Sequence, residues 1–516
     1  GRERAQVLRE TARQLEARRG QFVTVMAAEG GKTVAEADPE ISEAIDFARY
    51  YAESAIELEH GPMADGARFT PSAITLITPP WNFPVAIPLG GVFAALAAGS
   101  AVVIKPAHPT PGCVELGAEA TWVALEAAGL PRDLLQVVRT GDRVVGRALV
   151  SHPDVETVIL TGSSETATMF TSWRGDAPRG PRVYGETSGK NSLVITPAAD
   201  LDLAVADLVR SAFGHAGQKC SAASLGILVG SVATSDKVRK QLVDAVSSVR
   251  VGWPDDLGTT MGPIIEPAEG KLLRALTTLE PGERWLVPPR PLDGEPPHRC
   301  RLWSPGLKEG VAPGSFFHHT EVFGPVLGLM TARTLAEALE LQNGTAFGLT
   351  GGLHSLDERE IEYWLEHVEV GNAYVNRHIT GAIVQRQPFG GWKASNVGPG
   401  AKAGGPNYVG QLGWWTAEGT PTRLAEPAPH VRQALKTLLP LLGTDLHERP
   451  ERTWLRGAVG SDAYVWETEL GRSIDVSDLR FEANVFRYRP VPVFWVRTEP
   501  DARIVCLLYT SDAADE

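Results

Sequence analysis

Apolar residues Ala5, Leu8, Ala12 and Leu15 recur every three or four positions, a period that predicts an amphipathic helix over residues 2–19. Asp38-Pro39, a capping residue followed by proline, predicts the start of a second helix. Its apolar face runs through Ile41, Ile45, Ala48, Ala52 and Ala55. From residue 73 the period switches back and forth. Apolar runs at 73–77, 101–104, 136–138 and 155–161 read as strands, and 84–98, 111–128, 141–151 and 163–173 read as helices. Such alternation predicts a parallel, doubly wound α/β sheet. A second alternating set begins near Ser192, and the proline-rich stretch 281–305 reads as a surface excursion. After Ala417 the segment EGTPTRLAEPAPH reads as a linker, followed by a small region with the strand-like NVFRYRPVPVFWV near its end.

Residues 85–104 carry no charge and are long enough to cross a bilayer. Pro88, Gly90, Gly91, Gly99 and Ser100 interrupt them. The run therefore reads as a buried helix and a buried strand, AVVI, and no membrane span is expected. At 516 residues the chain has room for two or three domains. A net charge of −13 argues against nucleic acid as a partner. The four cysteines, Cys113, Cys220, Cys300 and Cys506, show no close pairing, which suits a reducing, cytoplasmic setting. The charged opening GRERAQVLRE does not read as a secretory signal. His318 and His319 lack spaced cysteine or carboxylate partners. They read as loop residues, and no metal site is expected.

The candidate nucleophile is Cys220, in GQKCSAAS (217–224), where the neighbouring Lys219 is a cation that would favour the thiolate. A cysteine alone is more often a small buried hydrophobe. Five further motifs change that weighting: PWNFP (80–84) with Asn82, IKPAH (104–108) with Lys105, GETSGKN (185–191) with Glu186, EVFGPV (321–326) and QPFGG (387–391). No GxGxxG fingerprint occurs. LTGSSETA (160–167) instead places Gly162 and Ser163 at a helix start whose free N–H groups suit a pyrophosphate, although Ser163 reads equally as a plain N-cap.

In this order and spacing, the motifs resemble those of the aldehyde dehydrogenase superfamily over residues 1–416. The resemblance implies a doubly wound Rossmann-type NAD-binding domain over 1–190, with an N-terminal piece missing before Gly1. It further implies an α/β catalytic domain over 191–384 and a substrate loop with an oligomerisation strand over 385–416. A linker over 417–429 and a small region over 430–505 follow. By the same resemblance, Cys220 attacks an aldehyde, Asn82 and the Cys220 N–H hold the oxyanion, and Glu186 activates water to release the acid. Relatives that pass the acyl group to coenzyme A or phosphate commonly lack this base, so Glu186 implies a free carboxylic acid. Lys105 and Glu321 would hold the riboses of NAD, with Gly162, Ser163 and Phe323 completing the cofactor set. Many NAD-preferring relatives read KPAE where this chain has His108. The missing carboxylate leaves NADP open beside NAD.

Ser221, TGAIVQRQPFGG (380–391) and KAGGPNY (402–408) resemble the branch that oxidises glutamate semialdehyde, the open form of pyrroline-5-carboxylate, to glutamate in proline catabolism. The resemblance implies that Ser221, Gly381 and Ala382 hold the substrate's α-carboxylate while Phe83 and Phe389 sandwich its aliphatic chain. Residues 430–505 resemble the C-terminal segment of long proline utilisation A proteins, which carry an upstream proline dehydrogenase; a homo-oligomer and such a fused partner are implied. The alternatives are a dehydrogenase of another small aldehyde, such as succinate semialdehyde, and a catalytically silent family member. Residues 506–516, CLLYTSDAADE, resemble a translated sequencing adapter.

Overall fold

The computed structural model describes residues 1–173, 181–293, 300–441 and 450–489. The chain divides into two units. One comprises residues 2–55 and 71–412, the other residue 1, residues 56–70 and the chain from Gly413 onward.

The first unit holds two largely parallel sheets. In the six-stranded sheet the order is Asn396–Val397, Arg182–Glu186, Val155–Thr161, Ile74–Thr78, Ala101–Ile104, Leu135–Val137. All neighbours are parallel except the edge strand Asn396–Val397, which places Asn396 opposite Glu186. From the central strand Ile74–Thr78 the chain winds outward through two strands, then returns to the other side at Val155–Thr161. That reversal is a topological switch point. Loops leaving the two central strands diverge there and open a crevice at the strands' carboxyl ends. PWNFP and Gly162-Ser163 are those two loops.

Helix Ala86–Ala98 is buried almost all round and stops at Gly99, in the left-handed region (φ 98°). The uncharged run 85–104 is thus core, and among the described residues no helix is long and apolar enough to cross a membrane. The second helix begins at Val34, ahead of Asp38, so Pro39 lies inside it. Thr33 O starts the helix by accepting the Glu36 and Ala37 N–H groups. Ion pairs from Glu36 and Glu40 to Lys219 and Lys32 offset the hydrogen bond that proline forfeits.

The seven-stranded sheet runs Asn372–Val375, Thr350–His354, Asn191–Ile195, Ala223–Val229, Val326–Ala332, Gly306–Glu309, Arg284–Val287. Its last strand is antiparallel and lies within the proline-rich stretch expected to be an excursion. The segment RWLV contains no proline, so it can pair along an edge. His318 likewise departs from the loop reading. It sits in the short helix Phe316–His319, buried, with Nδ1 accepting the Gly314 N–H (3.0 Å) and Nε2 2.9 Å from Leu341 O. No group of three or more potential metal-ligand side chains occurs among the described residues.

In the second unit, Ala67–Pro71 pairs with Gly413–Ala417. Leu455 and Val459, on the helix Pro450–Val465, pack with Val431 and Leu435. The segment read as a linker is tied down: Asp65 accepts the Thr422 and Arg423 N–H groups, and the Ala425 N–H donates to Gly460 O. Of the strand-like NVFRYRPVPVFWV, Val485–Phe486 pairs with Ile474–Asp475; its residues from 490, and residues 506–516 with Cys506, lie outside the described residues.

Candidate active site

Past the helix Leu201–Phe213, three consecutive residues, His215, Ala216 and Gly217, adopt left-handed φ values of 51°, 54° and 68°. At Gly217 a Cβ would stand 2.3 Å from Gly324 O, so glycine is required there. This tight turn delivers the Cys220 loop to the crevice. Asn191 braces it, donating from Nδ2 to Cys220 O (2.6 Å) and Ala222 O (3.0 Å) while Oδ1 accepts the Thr350 N–H (3.1 Å). Asn82, buried, donates to Gln218 O at 3.0 Å. Gln218 is itself held by His215 O, Pro263 O and the Ile265 N–H. Every bond of this frame is buried or partly buried, which rigidifies the loop.

Lys219 does not activate the thiol. It pairs with Glu36 at 2.6 Å. Burial pushes the Cys220 thiol well above its usual range, the Glu186 and Glu321 charges push the same way, and the Ser221 N–H opposes them. The resting sulfur is therefore a thiol that needs a base. Glu186, at the end of the strand Arg182–Glu186, stands beside it. Burial raises the Glu186 carboxyl to about 8, while a hydrogen bond from the Cys220 thiol and the charge of Lys402 pull it down.

Cys220 and Glu186 line two cavities at once. The larger, about 480 Å³, follows the crevice at the switch point. All five sequence-derived cofactor residues, Lys105, Gly162, Ser163, Glu321 and Phe323, are on its wall, with Asn82, Arg143 and Lys271. Lys105 Nζ has Pro106 O at 3.3 Å as a partner, leaving donors for sugar hydroxyls. Glu321 Oε1 accepts the Gly189 N–H at 2.9 Å. Phe323 has a positive φ of 58° and meets Trp81 edge-on, centroids 5.6 Å apart. Ser163 combines both roles foreseen for it: its Oγ caps the helix Ser164–Trp173 by accepting the Thr166 N–H (3.2 Å), and it borders the cleft. A long crevice with a helix N-terminus, ribose-sized donors and an acceptor fits a dinucleotide. His108 is not on this wall.

The smaller cavity, about 110 Å³, is lined by Phe83, Ser221, Gly381, Ala382 and Phe389, the full substrate set read from the sequence. Gly381 has φ 75°, so its loop turns backbone groups in a way other residues resist. Glu43 also lines it and was not anticipated. Burial and the charge of Glu40 raise its carboxyl to about 8, with Lys32 opposing. Nothing local singled out Glu43, which sits on an ordinary amphipathic helix; only the fold turns it inward. Asn191 was overlooked too, although GETSGKN contained it.

Two cavities meeting at one cysteine and one raised carboxyl define a thiol-dependent oxidoreductase site. The aldehyde dehydrogenase family model matches residues 1–412, and the chain belongs to that family. It is 35% identical over 419 residues, 79% of each chain, to the 1-pyrroline-5-carboxylate dehydrogenase of Geobacillus sp. (strain WCH70). It resembles the Bacillus subtilis (strain 168) 1-pyrroline-5-carboxylate dehydrogenase 2 to the same degree over 420 residues. Among solved structures, proline utilization A from Corynebacterium freiburgense is 51% identical, with TM-score 0.85 over 95% of this chain; the chain spans 47% of that protein. The Thermus 1-pyrroline-5-carboxylate dehydrogenase with bound NAD is 31% identical, with TM-score 0.72 over 80% of each chain.

Proposed function

We infer that this protein oxidises L-glutamate γ-semialdehyde, formed from 1-pyrroline-5-carboxylate, to L-glutamate with NAD, within proline catabolism. The observation that carries the reading is the shared wall: Cys220 and Glu186 border both the cofactor cleft and a small cavity whose far lining includes Ser221, Gly381 and Ala382.

Cys220 Sγ bonds to the aldehyde carbon, and its thiol proton passes to Glu186. The carbonyl electron pair moves to oxygen, held by Asn82 Nδ2 and the Cys220 N–H. NAD in the cleft would supply the hydride acceptor, and Lys105 and Glu321 would hold its riboses. Once the hydride has left the former aldehyde carbon, the oxyanion's electron pair re-forms the C=O bond, a thioester remains on Cys220, and Glu186 sheds its proton to solvent. Ionised Glu186 takes a proton from water as the water oxygen attacks the thioester carbon. The C–S bond breaks, glutamate leaves, and the departing sulfur takes the proton from Glu186, restoring the Cys220 thiol and the Glu186 carboxylate. Ser221, Gly381 and Ala382 receive the substrate's α-carboxylate, Phe83 and Phe389 its chain, and Glu43 its α-ammonium, a charge that would favour the ionised carboxylate.

Residues 1–190 would serve cofactor binding, 191–384 catalysis and 385–416 the substrate loop and oligomerisation. The identity to proline utilization A, extending over 95% of this chain, supports a fused upstream proline dehydrogenase. Free thiols at Cys113, Cys220 and Cys300 support a cytoplasmic setting, and family kinship supports a homo-oligomer. The deciding experiment measures NADH formed by the full-length protein with glutamate semialdehyde and with succinate semialdehyde, Cys220→Ser serving as blank. Preference for glutamate semialdehyde supports the assignment. Equal or reversed preference overturns the substrate while leaving the chemistry standing.

A further inference from the structure

The substrate loop is pinned at both ends and open between them. Ile379, fully buried, donates its N–H to Ser211 Oγ at 3.1 Å. Further along, the Ile383 N–H donates to Gln387 Oε1 at 3.1 Å, and the Gln385 N–H to Gly404 O at 2.7 Å. Between these pins, the Gly381 and Ala382 N–H groups have no hydrogen-bond acceptor among the described residues. The mechanism gives them to the substrate's α-carboxylate, and it leaves unused the side chain that holds the loop in place.

Ser211 is itself fully buried, in the last turn of the helix Leu201–Phe213. That helix leads into the left-handed turn at His215, Ala216 and Gly217 that delivers Cys220 and Ser221. On the other side, the strand Asn372–Val375 ends at Asn376, which has a φ of 53°. Asn376 is clamped to Ser355, accepting its N–H (3.0 Å) and donating to its carbonyl (2.8 Å). Only Arg377 and His378 separate that clamp from the residue that Ser211 catches. One helix therefore positions two parts of the substrate cavity wall: Ser221 through the chain that follows it, and Gly381 with Ala382 through Ser211. The hydroxyl also supplies the acceptor that a buried backbone N–H requires.

We propose that Ser211 is the positioning residue for the substrate's carboxylate: its Oγ holds the Ile379 N–H and so fixes Gly381 and Ala382 relative to Ser221, the groups that receive it. The proposal rests on the substrate reading given above. A hydroxyl that merely satisfied a buried amide would leave discrimination between aldehydes untouched. Positioning instead demands a loss confined to aldehydes that carry the carboxylate, because donors fixed in advance need not be ordered when the substrate binds.

The test compares the full-length wild type with Ser211→Ala, which removes the acceptor, and with Ser211→Thr, which keeps it. Three aldehydes of equal chain length serve as substrates: glutamate semialdehyde, 5-oxopentanoate, which retains the carboxylate without the ammonium, and pentanal, which has neither. For Ser211→Ala we expect KM to rise about tenfold for the first two, with kcat within about twofold and KM for pentanal and NAD unchanged. L-Glutamate should inhibit this variant about tenfold more weakly. Ser211→Thr should restore the wild-type KM. An equal rise for pentanal, a fall in kcat shared by all three aldehydes, or no rise at all overturns the proposal and leaves Ser211 a structural contact. Should Ser211→Ala fail to fold, Ser211→Cys, whose sulfur is a weak acceptor, must raise KM for the carboxylate-bearing aldehydes in the same selective way; an unchanged ratio to pentanal overturns it equally. Wild-type values read the two ideas separately. No preference for 5-oxopentanoate over pentanal sinks the carboxylate anchor and this proposal with it, whereas a strong preference that Ser211→Ala leaves intact sinks this proposal alone.

Discussion

Lys32 and Glu40 form an ion pair sealed from solvent, with side-chain exposures of 1% and 0%. The other Glu40 oxygen accepts the Val85 and Ala86 N–H groups (2.8 and 3.1 Å), supplying the N-terminal cap that the helix Ala86–Ala98 lacks locally. Lys32 also lies 4.2 Å from the centroid of the Phe83 ring. One pair therefore ties the helix Val34–His60 to the segment carrying Asn82 and Phe83.

Removing one partner of this pair should be costly because it strands a buried charge. Lys32→Met is expected to lower stability by about 3–5 kcal/mol. Denaturant unfolding would read it, and a loss under about 1 kcal/mol would show that water reaches Glu40.

Glu186→Gln should remove both proton transfers assigned to this side chain, so the first-turnover NADH burst and the steady rate are expected to fall together. It should also change stability with a definite sign. The folded carboxyl holds its proton up to about 8, against an ordinary value of 4.5, so the folded state binds more protons between those limits. Stability from this group is present at low pH and lost as pH rises from about 4.5 through about 8. Near pH 9 the glutamine variant is expected to be more stable, by on the order of 2 kcal/mol after allowing for the group's contact with the cleft, the gain fading toward pH 5. Thermal unfolding across pH tests this; a variant less stable at alkaline pH would contradict it.

In the proposed mechanism, Asn82→Ala removes a side-chain donor from the oxyanion. We expect kcat to fall about 10²–10³-fold with little change in KM. A drop under about tenfold would assign Asn82 to bracing Gln218 alone.

Glu43→Gln should raise KM for glutamate semialdehyde at least about tenfold, the value of one charge-assisted contact. It should leave KM for an aldehyde without an ammonium nearly unchanged. Equal effects on both would mean that Glu43 shapes the cavity without contacting the substrate amine.

The strands and helices of the six-stranded sheet were legible because their periods are strong. The strand Val155–Thr161 matches its expected bounds, and the helix Pro111–Ala127 differs by one residue. The helix Val34–His60 and the edge strand Arg284–Val287 were not, because tertiary pairs outweighed local punctuation: Thr33 and buried ion pairs start the helix before Pro39, and Gly306–Glu309 recruits RWLV from among prolines. Lys219 was misread for the same reason, since adjacency in sequence said nothing of Glu36.

By itself the sequence singled out Cys220, Glu186 and Asn82 as the candidate chemistry-bearing set, with the residues that border the two cavities. Those residue types must sit on short motifs where strand ends meet loops. What only the tertiary structure decided is how they are charged and braced: Glu43 turned inward, Asn191 holding the nucleophile loop, and Lys219 paired with Glu36. Burial and charge pairing depend on what lies across space, and residues separated by more than a hundred positions, such as Glu36 and Lys219, acquire their electrostatics only when the chain closes on itself.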